Sequence, residues 1–316
     1  MNALITGIAG FVGGHLAEHL LCEGDRVVGT ALSSRWPTGT PPQLVSEVPL
    51  VAWDVTRDPS ASLLEAAEAL SPDCLFHMAA ISVPRECGDV MPTPTAEAIN
   101  VDGALRAVRL AAELRSRPRV VLASSSHVYA PVAAKSPMVN EDAPLGPARG
   151  YGKTKLAAER LAGRLARELG VELVIARGFQ QLGPRQMGPM MLAEWIEQIV
   201  SGSEPLEVQT RRATIDVCDV RDAARAYRLL ALRGDSTRAY NIGNGMARTS
   251  GDVLNALLGA VDSPPTVRET HPVPKQAPIA DVTRLRATTG WQPTVALETT
   301  VADALRWRIS QCDAPA

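Results

Sequence analysis

No two of the five cysteines (Cys22, Cys74, Cys87, Cys218, Cys312) stand in C-x-x-C spacing. Their scatter indicates neither a zinc site nor a disulfide scaffold, and it fits reduced thiols in a cytoplasmic protein; no metal is expected. Charge of either sign is also scarce in excess: 32 Lys and Arg against 34 Asp and Glu leave −2. Such a balance supplies no basic field to recruit nucleic acid or a membrane surface. No apolar run is long enough to span a bilayer. A strand pattern begins at about Ala3, which leaves no room for a signal peptide. There is no internal repeat, and the one loose compositional patch is the Pro/Gly/Thr loop from Trp36 to Gln43. A G-x-S-x-G turn is missing too, which weakens a hydrolytic reading of Ser125 or Ser126 with His127. What is present is a chain of 316 residues, 46% apolar and 21% charged, able to bury a large core in one big domain or two lobes.

Strand and helix patterns alternate through about Arg177. Strands are expected near 3–6, 26–30, 49–53, 74–77, 119–123 and 171–176, with Ala104–Leu114 and Tyr151–Leu169 the clearest helices. Gly170 follows the second of these as a helix stop. Alternation of this kind means a parallel, doubly wound α/β sheet of Rossmann type. Thr6-Gly7-Ile8-Ala9-Gly10-Phe11-Val12-Gly13 sits at the first strand-to-helix junction. That context suits a dinucleotide: Gly7 permits the tight turn, Gly10 lets backbone approach a pyrophosphate, and Gly13 lets helix and strand pack closely. The phosphates would lie over the helix N-terminus, where unpaired N–H groups and the helix dipole favour anions. An ordinary glycine turn is the plainer alternative.

Tyr151-Gly-Lys-Thr-Lys155 places a phenol and an ammonium four residues apart on one helix face. A free Tyr titrates near ~10, and a neighbouring cation favours phenolate, so the expectation is a Tyr pKa drawn down into working range. A solvated Y-x-x-x-K pair is the chance alternative. Leu122-Ala-Ser-Ser-Ser-His-Val-Tyr129 runs a strand into a hydroxyl cluster at the sheet edge where open α/β sheets bind ligands. Turn chemistry alone also produces such serine clusters.

Taken together, these three segments resemble the extended short-chain dehydrogenase/reductase family, the NAD(P)-dependent sugar-nucleotide epimerases, dehydratases and reductases. The resemblance runs over nearly the whole chain. It includes Asp54-Val55, His77-Met-Ala-Ala80, Asn100, Arg177-Gly-Phe-Gln-Gln-Leu-Gly-Pro184, Asp219-Val-Arg-Asp222, Tyr240-Asn-Ile-Gly243 and Asp281 through Gly290-Trp291-Gln-Pro293. It implies a smaller mixed α/β substrate lobe, with residues 1–177 plus 214–242 forming the dinucleotide-binding domain and 178–213 plus 243–316 the substrate lobe. It also implies a homodimer through the helices near 104 and 151, although those Ala- and Leu-rich helices equally suit an intramolecular core.

By that resemblance Tyr151 is the catalytic acid/base, Lys155 tunes it and binds the nicotinamide ribose, and Ser125 holds the reacting oxygen, with the register inside Ser124–Ser126 open by one. Cofactor contacts fall to Gly7, Ile8, Gly10, Phe11, Val12, Gly13, Asp54, Val55, Ala79, Ala80, Asn100, Tyr151 and Lys155. For Asp54 a simple turn cap is the alternative. After the second strand the chain reads Leu32-Ser-Ser-Arg35 without an acid, so Ser33, Ser34 and Arg35 suit a 2′-phosphate. NADP is therefore expected, NAD remaining open, and solvated loop residues would account equally for the three.

His127 stands where the family's 4,6-dehydratases carry a Glu that removes the sugar C5 proton, which argues against a dehydratase. A loop histidine contacting backbone is the alternative. Local wording at Gly183-Pro-Arg-Gln186, Ala193 to Pro205 and Asp219 to Tyr227 most resembles GDP-4-keto-6-deoxy-mannose reductases. The small-molecule partner implied is a nucleotide sugar, touched by Ser126, Gln180, Arg185, Arg212 and Lys275. Departures are Gln180 for a usual Asn, Ile215 for a usual Arg, and His271-Pro272 or Lys275 for another Arg. An Arg fork matches phosphate bidentately and Lys does not, so the anionic end of the substrate is open. The expected activity is reduction of a nucleotide-linked 4-keto-6-deoxy sugar; the rivals are a 4-epimerase with retained cofactor and a non-catalytic NADP sensor on the same fold.

Overall fold

The computed structural model describes residues 1–312. Seven parallel strands form the main sheet: β1 (Asn2–Thr6), β2 (Arg26–Ala31), β3 (Leu50–Ala52), β4 (Cys74–His77), β5 (Arg119–Ser125), β6 (Leu173–Gly178) and β7 (Ala239–Ile242). Their order across the sheet is β7-β6-β5-β4-β1-β2-β3. The order reverses between β1 and β4, so the crevice outside their C-terminal ends is a ligand site by topology.

The central strands are buried nearly throughout, as a sheet covered on both faces requires, and successive residues point to opposite layers. Ala3, Ile5, Phe76, Val121 and Val174 face one layer, where they meet Leu16 and Leu20 of α1 (Phe11–Cys22). Leu4, Leu75, Val120, Leu122 and Leu173 face the other layer. There they meet α2 (Ala61–Leu70), α3 (Gly103–Glu113) and α4 (Gly150–Leu169) through Leu63, Ala107, Leu110, Ala158 and Ala162. Small residues on α3 and α4 let these helices lie close to each other and to the sheet. Helix α4 ends at Gly170, whose φ of 65° places it in the left-handed region that a C-terminal glycine adopts without a Cβ penalty. A fifth helix, α5 (Val220–Arg233), returns to the α1 side through Tyr227 and Leu230.

A second hydrophobic cluster is built by helices Met191–Val200, Ser250–Leu258 and Leu297–Cys312 around Trp195, Ile196, Leu254 and Val301. Its short strands pair locally. Ala213–Ile215 lies between Arg248–Thr249 and Lys275–Gln276, and Gln180–Leu182 runs parallel to Val217–Asp219. A parallel pair, Met138–Val139 with Ile279–Ala280, joins this lobe to the loop after β5. No described helix is long and apolar enough to cross a membrane.

Candidate active site

The turn after β1 is shaped by contacts that only glycine allows. Gly7 has φ +67°, and a Cβ there would sit 2.7 Å from the backbone of Ala79 at the end of β4. A Cβ on Gly13 would lie 2.4 Å from the Gly7 carbonyl oxygen and 2.9 Å from the Ile8 Cα. Gly10 caps α1 without any side-chain bond, and the first turn of that helix carries no acid. This arrangement fits a dinucleotide pyrophosphate over the α1 N-terminus. The Ile8 side chain is fully buried and packs against Gly29, so only its backbone can face a ligand. Phe11 and Val12 are half-buried, with the Phe11 ring edge-on to His15 at 5.5 Å.

Other residues expected at the cofactor sit differently. Ser33, Ser34 and Arg35 are exposed together after β2, the Arg35 N–H donating to Ser33 Oγ at 3.1 Å. Asp54 takes up its turn-capping role: Oδ1 accepts from the Thr56 N–H at 3.0 Å and the Thr56 hydroxyl at 2.7 Å, which lower its pKa. Val55 is buried against Gly103. Asn100, expected to touch the cofactor, has its amide engaged inside the protein. Oδ1 accepts from the Ile81 N–H at 2.8 Å, while Nδ2 donates to the Ile81 carbonyl at 3.1 Å and to Thr154 Oγ1 at 3.0 Å. It clamps the loop carrying Ala79 and Ala80 to α4, because a buried amide left without partners would be expensive.

At the C-terminal end of β5 the structure brings Ser125, His127, Tyr151 and Lys155 together. Ser125 Oγ lies 3.1 Å from His127 Nδ1 and accepts the His127 backbone N–H at 3.2 Å. The His127 and Tyr151 rings meet edge to face with centroids 5.3 Å apart. Gly152 makes this approach possible, since a Cβ there would fall 2.2 Å from the His127 carbonyl oxygen. Ser126 is buried in the same turn.

Burial pushes the Tyr151 phenol up to about 12, with the Ser125 hydroxyl acting in the opposite sense. The expectation that Lys155 draws the phenol down is therefore not met: the Lys155 ammonium is turned to the Ala123 carbonyl at 3.0 Å, and desolvation wins. Lys155 itself is lowered to about 8 by burial, against the attraction of Cys87 and Glu159. His127, exposed on one side, is held below the ordinary imidazole range by the protein packed around it and then by Arg149.

Glu159 and Cys87 at this centre were not singled out as site residues in the sequence. Ser124 Oγ donates to Glu159, one helical turn beyond Lys155, and Arg177 grips Glu159 with two bonds of 3.0 and 2.8 Å. Arg177 also donates to the Tyr129 hydroxyl at 3.2 Å, which in turn donates to Asn241 Oδ1 at 2.6 Å. The i+4 spacing from Lys155 is the signal that could have singled out Glu159. Cys87, fully buried beside Ala96 and Tyr151, carried no signal at all.

On the substrate side, Arg185 is not left to meet an anion. It is paired with Glu18 and lies 2.9 Å from His15 Nδ1, both on α1, and Glu18 is lowered to about 2, its burial outweighed by the bonds from His15 and Arg185. Arg212 and Lys275 are exposed and adjacent, the Lys275 N–H reaching the Arg212 carbonyl at 3.4 Å. Lys275 Nζ donates to Gln209 at 2.8 Å. Gln180 is half-buried on its short strand beside Val217. Among the described residues no group of His, Cys, Asp and Glu is placed to hold a metal.

Comparison with known proteins gives this geometry its setting. The chain is 28% identical over 317 residues to a UDP-glucose 4-epimerase of Mycolicibacterium smegmatis, covering 97% of this chain and 98% of that one. It is 27% identical over 315 residues to the GDP-6-deoxy-D-mannose reductase of Pseudomonas aeruginosa, covering 96% and 94% respectively. Its fold superposes on a UDP-glucuronic acid 4-epimerase from Bacillus cereus, solved with UDP-glucuronic acid and NAD, at a TM-score of 0.84 and 24% identity, over 99% of this chain and 100% of that one. Residues 3–243 match the NAD dependent epimerase/dehydratase family, and the chain belongs to that family of sugar-nucleotide enzymes.

Proposed function

We propose that this enzyme reduces the 4-keto group of a nucleotide-linked 6-deoxy sugar, with NADPH as the preferred donor. One observation carries the reading: Tyr151 is buried at the end of β5 with Ser125 and with its ring against His127, on the sheet edge that also carries the glycine turn suited to a dinucleotide. A phenol placed beside a second hydroxyl suits a step in which a carbonyl oxygen is held and gains a proton. Bound nicotinamide supplies the hydride. Ser125 would hold the carbonyl oxygen, Tyr151 would donate to it, and Lys155 would fix the geometry on the nicotinamide side. His127 in place of a carboxylate speaks against C5 deprotonation and thus against a dehydratase. Exposed Ser33, Ser34 and Arg35, with no acid after β2, suit a 2′-phosphate. Arg212 and Lys275, adjacent on the smaller lobe, suit the substrate's diphosphate. A dimer through α3 and α4 is part of the same proposal.

A 4-epimerase is the second reading, favoured by the full-length similarity to the UDP-glucose 4-epimerase of Mycolicibacterium smegmatis. Both readings require Tyr151. Tyr151→Phe is expected to lower NADPH-dependent ketone reduction by about 10²-fold or more, with cofactor binding, followed by reduced-nicotinamide fluorescence, retained. Full activity in that variant would rule out the assigned chemistry.

A further inference from the structure

The loop Gly183–Gln186 leads from the short strand Gln180–Leu182 towards the helix Met191–Val200 of the second hydrophobic cluster. On its way it lies along the first turns of α1, the helix whose N-terminus suits the dinucleotide pyrophosphate. A Cβ on Gly183 would meet Val220 at 2.6 Å and stand 3.8 Å from the Phe11 ring, so the loop starts beside the first residue of that helix.

One turn further along α1, two side chains hold the loop. His15 Nε2 donates to the Pro184 carbonyl at 2.9 Å, and His15 Nδ1 accepts from Arg185 at 2.9 Å. A carbonyl only accepts and a guanidinium only donates, so the ring sits in one tautomer with both nitrogens in use. Glu18 takes the Arg185 fork with both oxygens, Nη1 to Oε1 at 3.0 Å and Nη2 to Oε2. A bidentate charged pair of this kind is strong and geometrically exacting. Water reaches it only in part, the side chains of Arg185 and Glu18 being 19% and 29% exposed.

The rest of the loop is lightly held. Arg185 has φ 65°, a left-handed conformation that a residue with a Cβ adopts at a cost, and the grip of His15 and Glu18 offsets it. The Gln186 bonds, to Gln181 and to Gly183, are local. Beyond them Met187 and Gly188 are exposed, with open space around Gly188.

We propose that His15, Glu18 and Arg185 form a latch that gates the cofactor: the loop comes off α1 when the dinucleotide enters or leaves, and the latch sets how long it stays. The proposal rests on the dinucleotide site of the proposed function, and it holds for reduction and epimerisation alike. All three are positioning residues, acting through the loop. A reductase exchanges its cofactor at every turnover, so latch opening then falls within the catalytic cycle.

Arg185→Gly removes the grip and keeps the backbone, because glycine adopts this φ without a Cβ penalty. Glu18→Ala removes the grip from the other side. In stopped-flow fluorescence with NADPH and the whole protein, each variant should release the cofactor about tenfold faster than wild type or more. Each should also take it up faster, since one gate serves both directions. The double variant should release it no faster than either single variant, as the two ends of one contact do. Faster release with unchanged uptake would overturn the gate and make these residues ordinary binding contacts. Unchanged release, or additive effects in the double variant, would overturn the latch itself.

Hydrogen exchange supplies a readout without cofactor. Exchange over residues 183–188 should quicken in both variants, and equal exchange would refute the fastening on which the gate depends. Failure of the dinucleotide reading looks different: the wild-type protein would then bind neither NADPH nor NADH.

Discussion

Histidine chemistry dominates at the scale of single residues. His77, at the end of β4, is fully enclosed and makes its ring contact with Thr6 Oγ1 at 2.9 Å. Burial first, and the Lys155 charge second, lower its pKa to about 3. The unfolded chain takes up this proton near ~6.5, so between those values the unfolded state binds more protons than the folded one. Stability must then fall as pH drops from 6.5 towards 3, by on the order of 5 kcal/mol from this residue over the full window. His127 is shifted in the same direction. The midpoint of thermal unfolding should therefore decline steadily below pH 6.5, and His77→Gln should flatten that slope whatever it does to stability at neutral pH. An identical slope in the variant would show that other groups govern acid unfolding.

Among the elements, the turn between β1 and α1 and the helix α4 carry the clearest commitments. Gly13 and Gly14 are neighbours on α1 with opposite tolerances. A Cβ on Gly13 would collide with immovable backbone at 2.4 Å, whereas on Gly14 the nearest atom is 3.6 Å away. Gly13→Ala should weaken cofactor binding by about tenfold or more, about 1.4 kcal/mol, while Gly14→Ala should bind as wild type; equal affinities in a fluorescence titration would contradict the packing argument. On α4, Glu159 and Arg177 form a nearly water-free ion pair that holds the helix to β6. Glu159→Gln leaves the guanidinium buried with only part of its partner set, so a loss of about 3–5 kcal/mol is expected in denaturant unfolding. A loss below about 1 kcal/mol would mean that water reaches Arg177.

Across the whole molecule, legibility followed the length and locality of each signal. The alternating strands and the two long helices were readable because each carries its own period: Tyr151–Leu169 was expected and Gly150–Leu169 is found, closed by Gly170. Ser125, Tyr151 and Lys155 were singled out by the family resemblance, and the structure places all three at the C-terminal end of β5. The smaller lobe was not, because its strands are two or three residues long and have no period of their own. Long-range polar pairing was invisible for a different reason. Arg185 meets Glu18 across 167 positions, and Tyr129 meets Asn241 across 112, distances over which spacing in sequence carries no information. The second of these contacts belongs to a buried chain that runs from Glu159 on α4 through Arg177 and Tyr129 to Asn241. It continues through Asn241, whose side chain donates to Val139 and Asp281 carbonyls at 3.0 and 3.3 Å. The proposed reduction requires that the candidate active site consume reduced cofactor. The most direct measurement is the ratio of NADPH oxidised to ketone lost when the purified protein meets nucleotide-linked 4-keto-6-deoxy sugars, repeated with NADH. A reductase should oxidise one NADPH per ketone with NADH the poorer donor; interconversion of C4 epimers without consumption of either cofactor would rule the reductase out.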